Sequence, residues 1–164
     1  MRLFRGLFYI GPVVGWMAFI FFMSTGMGDA EHTIGLLGRL LRAFMPEAAK
    51  HFGPLQLEYL NYLIRKLGHF CEYMALTALA VRAFQFGSSK LKIRSLLGAV
   101  ALSVCYAVSD EAHQYFVPYR TASVRDVLLD SSGALVCAAL IAVWFGIKSI
   151  ERRFVSGAVA KGAG

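Results

Sequence analysis

The stretch LGHFCEYMALTALAVRAF, from Leu67 to Phe84, is apolar enough to enter a membrane, yet His69 and Glu72 lie within its first six residues. A helix needs about 20 predominantly apolar residues to cross a bilayer. Ionisable side chains are costly at that depth, and those that occur there usually face the interior of a helix bundle. The stretch therefore predicts a transmembrane helix with a polar face near one end.

Three further apolar runs accompany this stretch, so the sequence predicts four spans, at about 7–23, 67–86, 95–116 and 127–147. Of the 164 residues, 57% are hydrophobic and 16% are charged, which excludes an ordinary soluble globular domain. We expect the third helix to continue through its polar end and to stop just before Pro118, because the residue before a proline disfavours helical geometry. The fold class predicted is an all-α polytopic membrane protein that forms one domain over residues 1–164.

The distribution of charge predicts the orientation of these spans. With the amino terminus inside, the inner regions carry ten Lys and Arg against one acid, and the outer regions carry seven against nine, which together give the net charge of +7. Because Lys and Arg favour cytoplasmic loops, both termini should be cytoplasmic. The basic loop GSSKLKIR (87–94) contains no aromatic residue, which argues against nucleic acid as a partner and favours contact with membrane lipid.

The long outer connection contains a second pattern, an amphipathic one. Within IGLLGRLLRAFM, the residues Ile34, Leu37, Leu41 and Met45 form one apolar stripe, while Arg39 and Arg42 lie on the other face. This spacing predicts a helix in the outer membrane interface or across the end of the bundle. A second helical piece, 55–64, should lead into the second span. We expect an outer amphipathic segment over about 30–64.

Polar residues occur at the outer ends of all these spans. Residues three or four apart share a helical face, and the alternating direction of the spans brings these faces to one leaflet: Lys66, His69, Glu72, Tyr73, Asp110, Glu111, Gln114, Asp126 and Asp130. Two interpretations remain open. The charges either reach water or form structural ion pairs, or they line a functional polar pocket that faces the outer leaflet.

The segments RKLGHFCEY (65–73) and SDEAHQYFVPYRTASVRDVLLDSSGAL (109–135) resemble the VanZ-like family of small bacterial membrane proteins. The family's signature is matched here by Lys66, His69, Glu72, Tyr73, Asp110, Glu111, Gln114, Pro118, Arg120 and Asp126. Two positions depart from it: Tyr119 precedes Arg120 where the family often has glycine, and Asp130 stands where it usually has asparagine. The resemblance implies a cell-envelope protein of the bacterial inner membrane, in a family named after a protein that gives resistance to the glycopeptide teicoplanin.

Two function classes follow for this pocket. In an enzyme that modifies a lipid-linked envelope molecule, the catalytic candidates are His69, Glu72, Asp110 and Glu111, with His69 as acid or proton shuttle. In a binding or transport protein, the same pocket holds a lipid, a lipid-linked cell-wall precursor or a lipoglycopeptide without cleaving it. The ligand-binding candidates are Lys66, Tyr73, Gln114, Arg120, Asp126 and Asp130. In either class, Lys66 and Arg120 would steady an anionic phosphate or carboxylate.

A metal site is a weaker possibility at the same place. His69, Glu72 and Glu111 are the candidate ligands, and they form only an HxxE pair plus one distant carboxylate. The sequence has no nucleophile motif and no glycine-rich phosphate loop, and GlyAla at 133–134 is better explained by close helix packing. The sequence specifies neither a cofactor nor an oligomeric state, and a structural membrane scaffold remains a third interpretation.

Overall fold

Helices make up almost all of the described part of the chain, which comprises residues 2–25, 30–117 and 122–162 of a computed structural model. In chain order they are α1 (Arg2–Ser24), α2 (Ala30–Phe44), α3 (Pro46–Ala49), α4 (Pro54–Gln85), α5 (Ile93–Gln114) and α6 (Val124–Gly162). No strand occurs in these residues, which confirms the all-α fold class.

The local sequence explains where the long helix α4 begins and ends. Gly53 has an extended backbone, and Pro54 follows at the first helical position, where its fixed φ suits a helix and its missing N–H costs nothing. At the other end, Phe86 (φ 45°) and Gly87 (φ 76°) turn into the left-handed region, which terminates the helix. The ring of Phe86 lies 5.6 Å from that of Tyr9, so the turn is packed against α1.

Helix α4 lies at the centre of the bundle. It packs against α1, α2, α5 and α6, and α5 also packs against α6. The buried residues Tyr73 and Leu76 belong to a cluster shared with α1 and α5, and Ala80 belongs to a second cluster shared with α5 and α6. Between the two, Thr77 and Ser103 are hydrogen-bonded through their hydroxyl groups at 2.8 Å. The interior of the bundle therefore contains paired polar groups even halfway along α4.

Three helices are long and apolar enough to cross a membrane: Gly6–Ser24, Ile93–Gln114 and Val124–Arg152. The prediction of four spans is wrong by this criterion, because α4 does not qualify. Its neighbours enclose much of its surface, so that part need not be lipid-compatible. It can carry ionisable residues such as His69 and Glu72, which lower the apolarity of the helix. The third span also ends earlier than predicted, at Gln114, and Tyr115 and Phe116 form an exposed turn.

The outer amphipathic segment predicted over 30–64 is not one element. The structure divides it into α2, α3 and the first three turns of α4. Helix α4 runs without a break from the predicted helical piece 55–64 into the predicted span 67–86. On α2, Ile34, Leu37 and Leu41 are half-buried, whereas Leu36 and Leu40 remain exposed. Three of the four residues of the predicted stripe are therefore partly buried, Met45 is exposed, and the amphipathic segment and its position relative to a membrane stay predictions.

The bundle has two ends of different chemistry. We call the end with Lys66, Asp110 and Asp126 the acidic end, and the end with Arg82 and Lys90 the basic end. Along α4, Lys66 and Gln85 are separated by about 30 Å at 1.5 Å per residue. That distance equals the thickness of a bilayer's hydrocarbon core, so the two ends can lie at opposite membrane surfaces.

Candidate functional site

The acidic end brings three polar helix faces together, as the spacing predicted. Helix α4 supplies Lys66, His69, Glu72 and Tyr73, α5 supplies Asp110, Glu111 and Gln114, and α6 supplies Asp126 and Asp130. Nine of the ten candidate residues are thus placed at one end of the bundle. The tenth, Arg120, lies in 118–121, outside the described residues. We call the nine residues the acidic cluster.

The rim of the acidic cluster is formed by two pairs of charged residues. Lys66 Nζ and Asp126 Oδ1 form a short ion pair that joins α4 to α6. His69 Nδ1 lies 3.5 Å from Glu72 Oε2, one turn further along α4. All four side chains retain about a fifth to a quarter of their exposure. The rim is therefore accessible to solvent or to a ligand, and Lys66 is already engaged with a protein carboxylate.

The α5 face of the cluster is buried and partly hydrogen-bonded. Gln114 Nε2 donates to Asp110 Oδ2 at 3.0 Å, as residues four apart on one helical face can. Glu111 Oε2 accepts a hydrogen bond from the backbone N–H of Ser123 at 2.8 Å, just before α6 begins. A carboxylate at a helix N-terminus is favourable because it satisfies a free N–H and complements the helix dipole. Glu111 thus has a structural role at the start of α6.

The innermost acid of the cluster is Asp130, whose exposure is only 1%. Glu72, Asp110, Glu111 and Asp126 all interact with it electrostatically. Five carboxylates therefore share this end of the bundle, and the Lys66 ion pair offsets one of them. Such a concentration of acids is unfavourable inside a low-dielectric bundle unless protons or cations compensate it.

Apart from the His69–Glu72 pair at the rim, three buried polar atoms of the cluster have no hydrogen-bond partner among the described residues: Asp130 Oδ1, Asp110 Oδ1 and the Tyr73 hydroxyl. Tyr73 is fully buried and interacts electrostatically with Asp110 and Asp130. Buried polar atoms in native proteins are nearly always hydrogen-bonded. Buried atoms that lack a protein partner therefore indicate a place where a bound group can form hydrogen bonds. These three atoms define the inner part of the cluster.

Close packing of α4 and α6 holds this inner part together. A Cβ atom on Gly133 would lie 2.4 Å from the carbonyl oxygen of Phe70, so only glycine permits the observed approach. Gly133 lies one turn after Asp130 on α6, and Phe70 lies one turn before Tyr73 on α4. The structure confirms the close packing expected of the small residues at 133–134.

Two residues that support the site were not among the sequence candidates. Trp16 Nε1 on α1 donates to the backbone carbonyl of Glu72 at 2.9 Å, and the Tyr106 hydroxyl donates to the carbonyl of Met17 at 2.5 Å. The ring of Tyr106 lies 6.4 Å from that of Tyr73. Tyr106 stands four residues before Asp110, so helical spacing could have placed it on the same face.

The metal hypothesis finds no support in the arrangement. Within 2–25, 30–117 and 122–162, no group of three or more His, Cys, Asp or Glu side chains is arranged to hold a metal ion. The candidates His69, Glu72 and Glu111 therefore do not fit a metal centre. His113, which could have joined such a set, instead lies with its ring 4.5 Å from the ring of Phe21 on α1.

Comparison with known families agrees with this architecture. The sequence profile of the VanZ/LLP1 family matches residues 9–145, which include every residue of the acidic cluster. The chain belongs to the VanZ/LLP1 family. Its three apolar helices agree with a multi-pass membrane protein of that family. Neither a comparison with curated proteins nor one with solved structures gives a match.

Proposed function

We propose that this VanZ/LLP1 protein binds the polar head of a lipid, a lipid-linked envelope molecule or a lipid-like antibiotic in its acidic cluster, at the outer membrane surface. The observation that carries the proposal is the set of three buried polar atoms without partners, on Asp130, Asp110 and Tyr73. A ligand group placed among them would supply the missing hydrogen bonds. The rim, with Lys66 and Glu72 partly exposed, gives access to them.

The charge of the cluster favours one class of head group, a primary ammonium. Five carboxylates are gathered there, and Lys66, a basic neighbour, forms its ion pair with Asp126. An ammonium group would donate up to three hydrogen bonds and neutralise part of the negative charge. Our expectation that Lys66 would steady an anionic phosphate is weakened, because that lysine is already paired with Asp126.

Orientation supports a site at the outer surface. The basic end carries Arg82, Lys90 and Lys148, and Lys and Arg concentrate on the cytoplasmic side of membrane proteins. The acidic end would then face the cell envelope, where lipid-linked cell-wall precursors and glycopeptides meet the membrane. In the cell, binding of such a molecule would contribute to teicoplanin tolerance.

Native mass spectrometry of the protein in mild detergent tests the binding step. The probes are phosphatidylethanolamine, which has a primary ammonium, and phosphatidylcholine, whose trimethylated nitrogen donates no hydrogen bond. Wild type should retain phosphatidylethanolamine about 10-fold or more better, since a charge-assisted hydrogen bond contributes about 1.5–3 kcal/mol. Asp130→Asn should abolish this preference, and the matched control Glu47→Gln, on the exposed helix α3, should keep it.

The same variants separate the possible outcomes. Tyr73→Phe removes only a hydroxyl and should weaken phosphatidylethanolamine retention if Asp130→Asn proves unstable. Equal retention of both lipids by wild type, or an unchanged preference in both variants, would overturn the proposed ammonium site. In a susceptible bacterial host, wild type and Glu47→Gln should raise teicoplanin tolerance and Tyr73→Phe should not, because Tyr73 is a position that the family signature shares. No increase with wild type present in the membrane would refute the link to tolerance.

A second candidate function is chemical modification of the bound molecule, which the His69–Glu72 pair at the rim favours. His69 Nδ1 lies 3.5 Å from Glu72 Oε2, and the two groups would have to come within hydrogen-bond distance, about 3 Å, to act in general acid–base catalysis. Glu111, which was a candidate base together with Asp110, already accepts the Ser123 N–H. If the protein is an enzyme, His69→Gln should stop the conversion of phosphatidylethanolamine in vesicles without reducing its retention. If wild type leaves the lipid unchanged over hours, this candidate function is excluded for that substrate.

A further inference from the structure

A large cavity lies at the basic end, far from the acidic cluster. Its volume is about 880 Å³, and it opens between the α4–α5 loop and the second half of α6. The loop contributes Ser89, Lys90 and Leu91, and α6 contributes Phe145, Ser149 and Arg152. This volume falls within the range of known small-molecule sites, roughly 300–1,000 Å³.

The lining of this cavity combines two kinds of surface. Lys90 and Arg152 provide positive charge and Ser89 and Ser149 provide hydroxyl groups, whereas Leu91 and Phe145 are apolar. None of the described residues that line it is acidic. Such a combination is complementary to a molecule that has an anionic head and an apolar body.

A second cavity of about 380 Å³ adjoins the first, because Phe145 lines both. Its wall includes Arg82, whose guanidinium donates to the carbonyl of Phe8 at 3.3 Å and lies over the rings of Phe8 and Tyr9. Arg82 is therefore held in place on the wall. Phe145, which lines both cavities, offers an apolar side chain against which an acyl chain can pack.

We propose that the cavity lined by Lys90 and Arg152 binds the head group of an anionic phospholipid at the membrane surface opposite the acidic cluster. The occupant is a lipid and not a soluble phosphate, because Leu91 and Phe145 form the apolar part of the wall. The location agrees with this choice. The basic end lies about 30 Å along α4 from Lys66, and basic pockets on the cytoplasmic side of membrane proteins bind anionic head groups.

The charge contribution can be tested with phosphatidylglycerol and phosphatidylcholine added to the full chain in detergent and counted by native mass spectrometry. Wild type should retain phosphatidylglycerol preferentially. Lys90→Gln with Arg152→Gln should weaken that retention about 10-fold or more, since each basic group near a membrane surface adds appreciably to anionic lipid binding. Arg42→Gln with Lys50→Gln removes the same charge from exposed positions on α2 and just after α3, and should leave retention unchanged.

The space in the cavity can be tested without changing any charge. Gly146 lies on the cavity wall, and no atom is within 4 Å of the position its Cβ would occupy. Gly146→Leu should fill part of the cavity and weaken phosphatidylglycerol retention, and leucine favours helix, so the fold should persist. Gly35→Leu, at an equally open position on α2, is the control and should retain phosphatidylglycerol as wild type does.

Three outcomes would overturn the proposal. They are equal retention of phosphatidylcholine and phosphatidylglycerol, a loss as large in Arg42→Gln with Lys50→Gln as in the cavity variants, or unchanged retention in Gly146→Leu. Displacement of phosphatidylglycerol by equimolar glycerol phosphate would identify a site for a soluble anion and refute the lipid assignment. Asp130→Asn should not change phosphatidylglycerol retention, so the result is independent of the function proposed for the acidic cluster.

Discussion

Replacing Gly133 with alanine tests the close approach of α4 and α6 beside Asp130. The new methyl group would lie 2.4 Å from the carbonyl oxygen of Phe70 and 3.2 Å from its carbonyl carbon. Ordinary van der Waals contact begins at 3.4 Å, so the two helices would have to move apart by about 1 Å. The two closest atoms belong to the Phe70 backbone, so rotation of the Phe70 ring, whose Cδ2 lies at 3.3 Å, cannot relieve the contact.

The expected magnitude follows from two opposing terms. Overpacking of an interior costs about 1–3 kcal/mol, and a clash with backbone belongs at the upper end of that range. Alanine is the better helix former by up to about 1 kcal/mol, which offsets part of the cost. The net loss should be about 2 kcal/mol in the free energy of unfolding, or roughly 4–8 °C in the midpoint for a chain of this size.

Thermal unfolding in mild detergent, followed by the fluorescence of Trp16 and Trp144, measures this effect. The matched control is Gly68→Ala on α4, where no atom lies within 4 Å of the added methyl group. The control should unfold at or slightly above the wild-type temperature. If Gly133→Ala unfolds at the same temperature as Gly68→Ala or above it, the close contact with Phe70 does not exist and the geometry of the cluster is wrong.

Two further predictions concern the contacts that hold the cluster. Lys66→Met should destabilise the protein by about 1–2 kcal/mol, because it leaves the half-buried Asp126 carboxylate unpaired among other acids. Asp126→Asn should cost less, because it removes one of the negative charges. Equal losses of stability in thermal unfolding would contradict this order. Trp16→Phe should cost about 1 kcal/mol, because the carbonyl of Glu72 loses its 2.9 Å hydrogen bond. Trp144→Phe at an exposed position should change stability by less than about 0.5 kcal/mol, and equal effects of the two tryptophan variants would argue against the Trp16 contact.

The fold could be predicted from the sequence where helices face lipid. The first, third and fourth apolar runs correspond to α1, α5 and α6 within a few residues at most ends, because a lipid-facing surface requires apolar side chains. Helix α4 was harder to predict because its neighbours enclose it. Its start at Pro54, well before the charged pair Arg65 and Lys66, is possible because no proline occurs between Pro54 and Phe86 and the one glycine, Gly68, does not interrupt the helix.

The membership of the site could be predicted, and its pairings could not. Helical spacing and the alternating direction of the helices are enough to gather the acidic cluster at one end. Which atoms meet depends on the rotation and axial position of each helix, which the sequence does not give. The sequence did not predict that Lys66 pairs with Asp126 and is not left to bind an anionic ligand, or that Glu111 accepts the Ser123 N–H. Trp16 was missed because it donates to a backbone carbonyl, and every residue has a backbone carbonyl, so the sequence pattern does not identify the acceptor.

These pairings divide the acids of the cluster into two groups. Asp126 and Glu111 have protein partners that join α6 to α4 and α5, so packing of the helices accounts for their charges. The same explanation fails for Asp130, whose Oδ1 is buried without a partner in the described part of the chain. An unpaired buried carboxylate costs several kcal/mol, and an amide of the same shape would cost less. Asp130→Asn should therefore be at least as stable as wild type in thermal unfolding while losing phosphatidylethanolamine, a combination expected of a residue kept for binding. A clear loss of stability would instead show that Asp130 supports the fold.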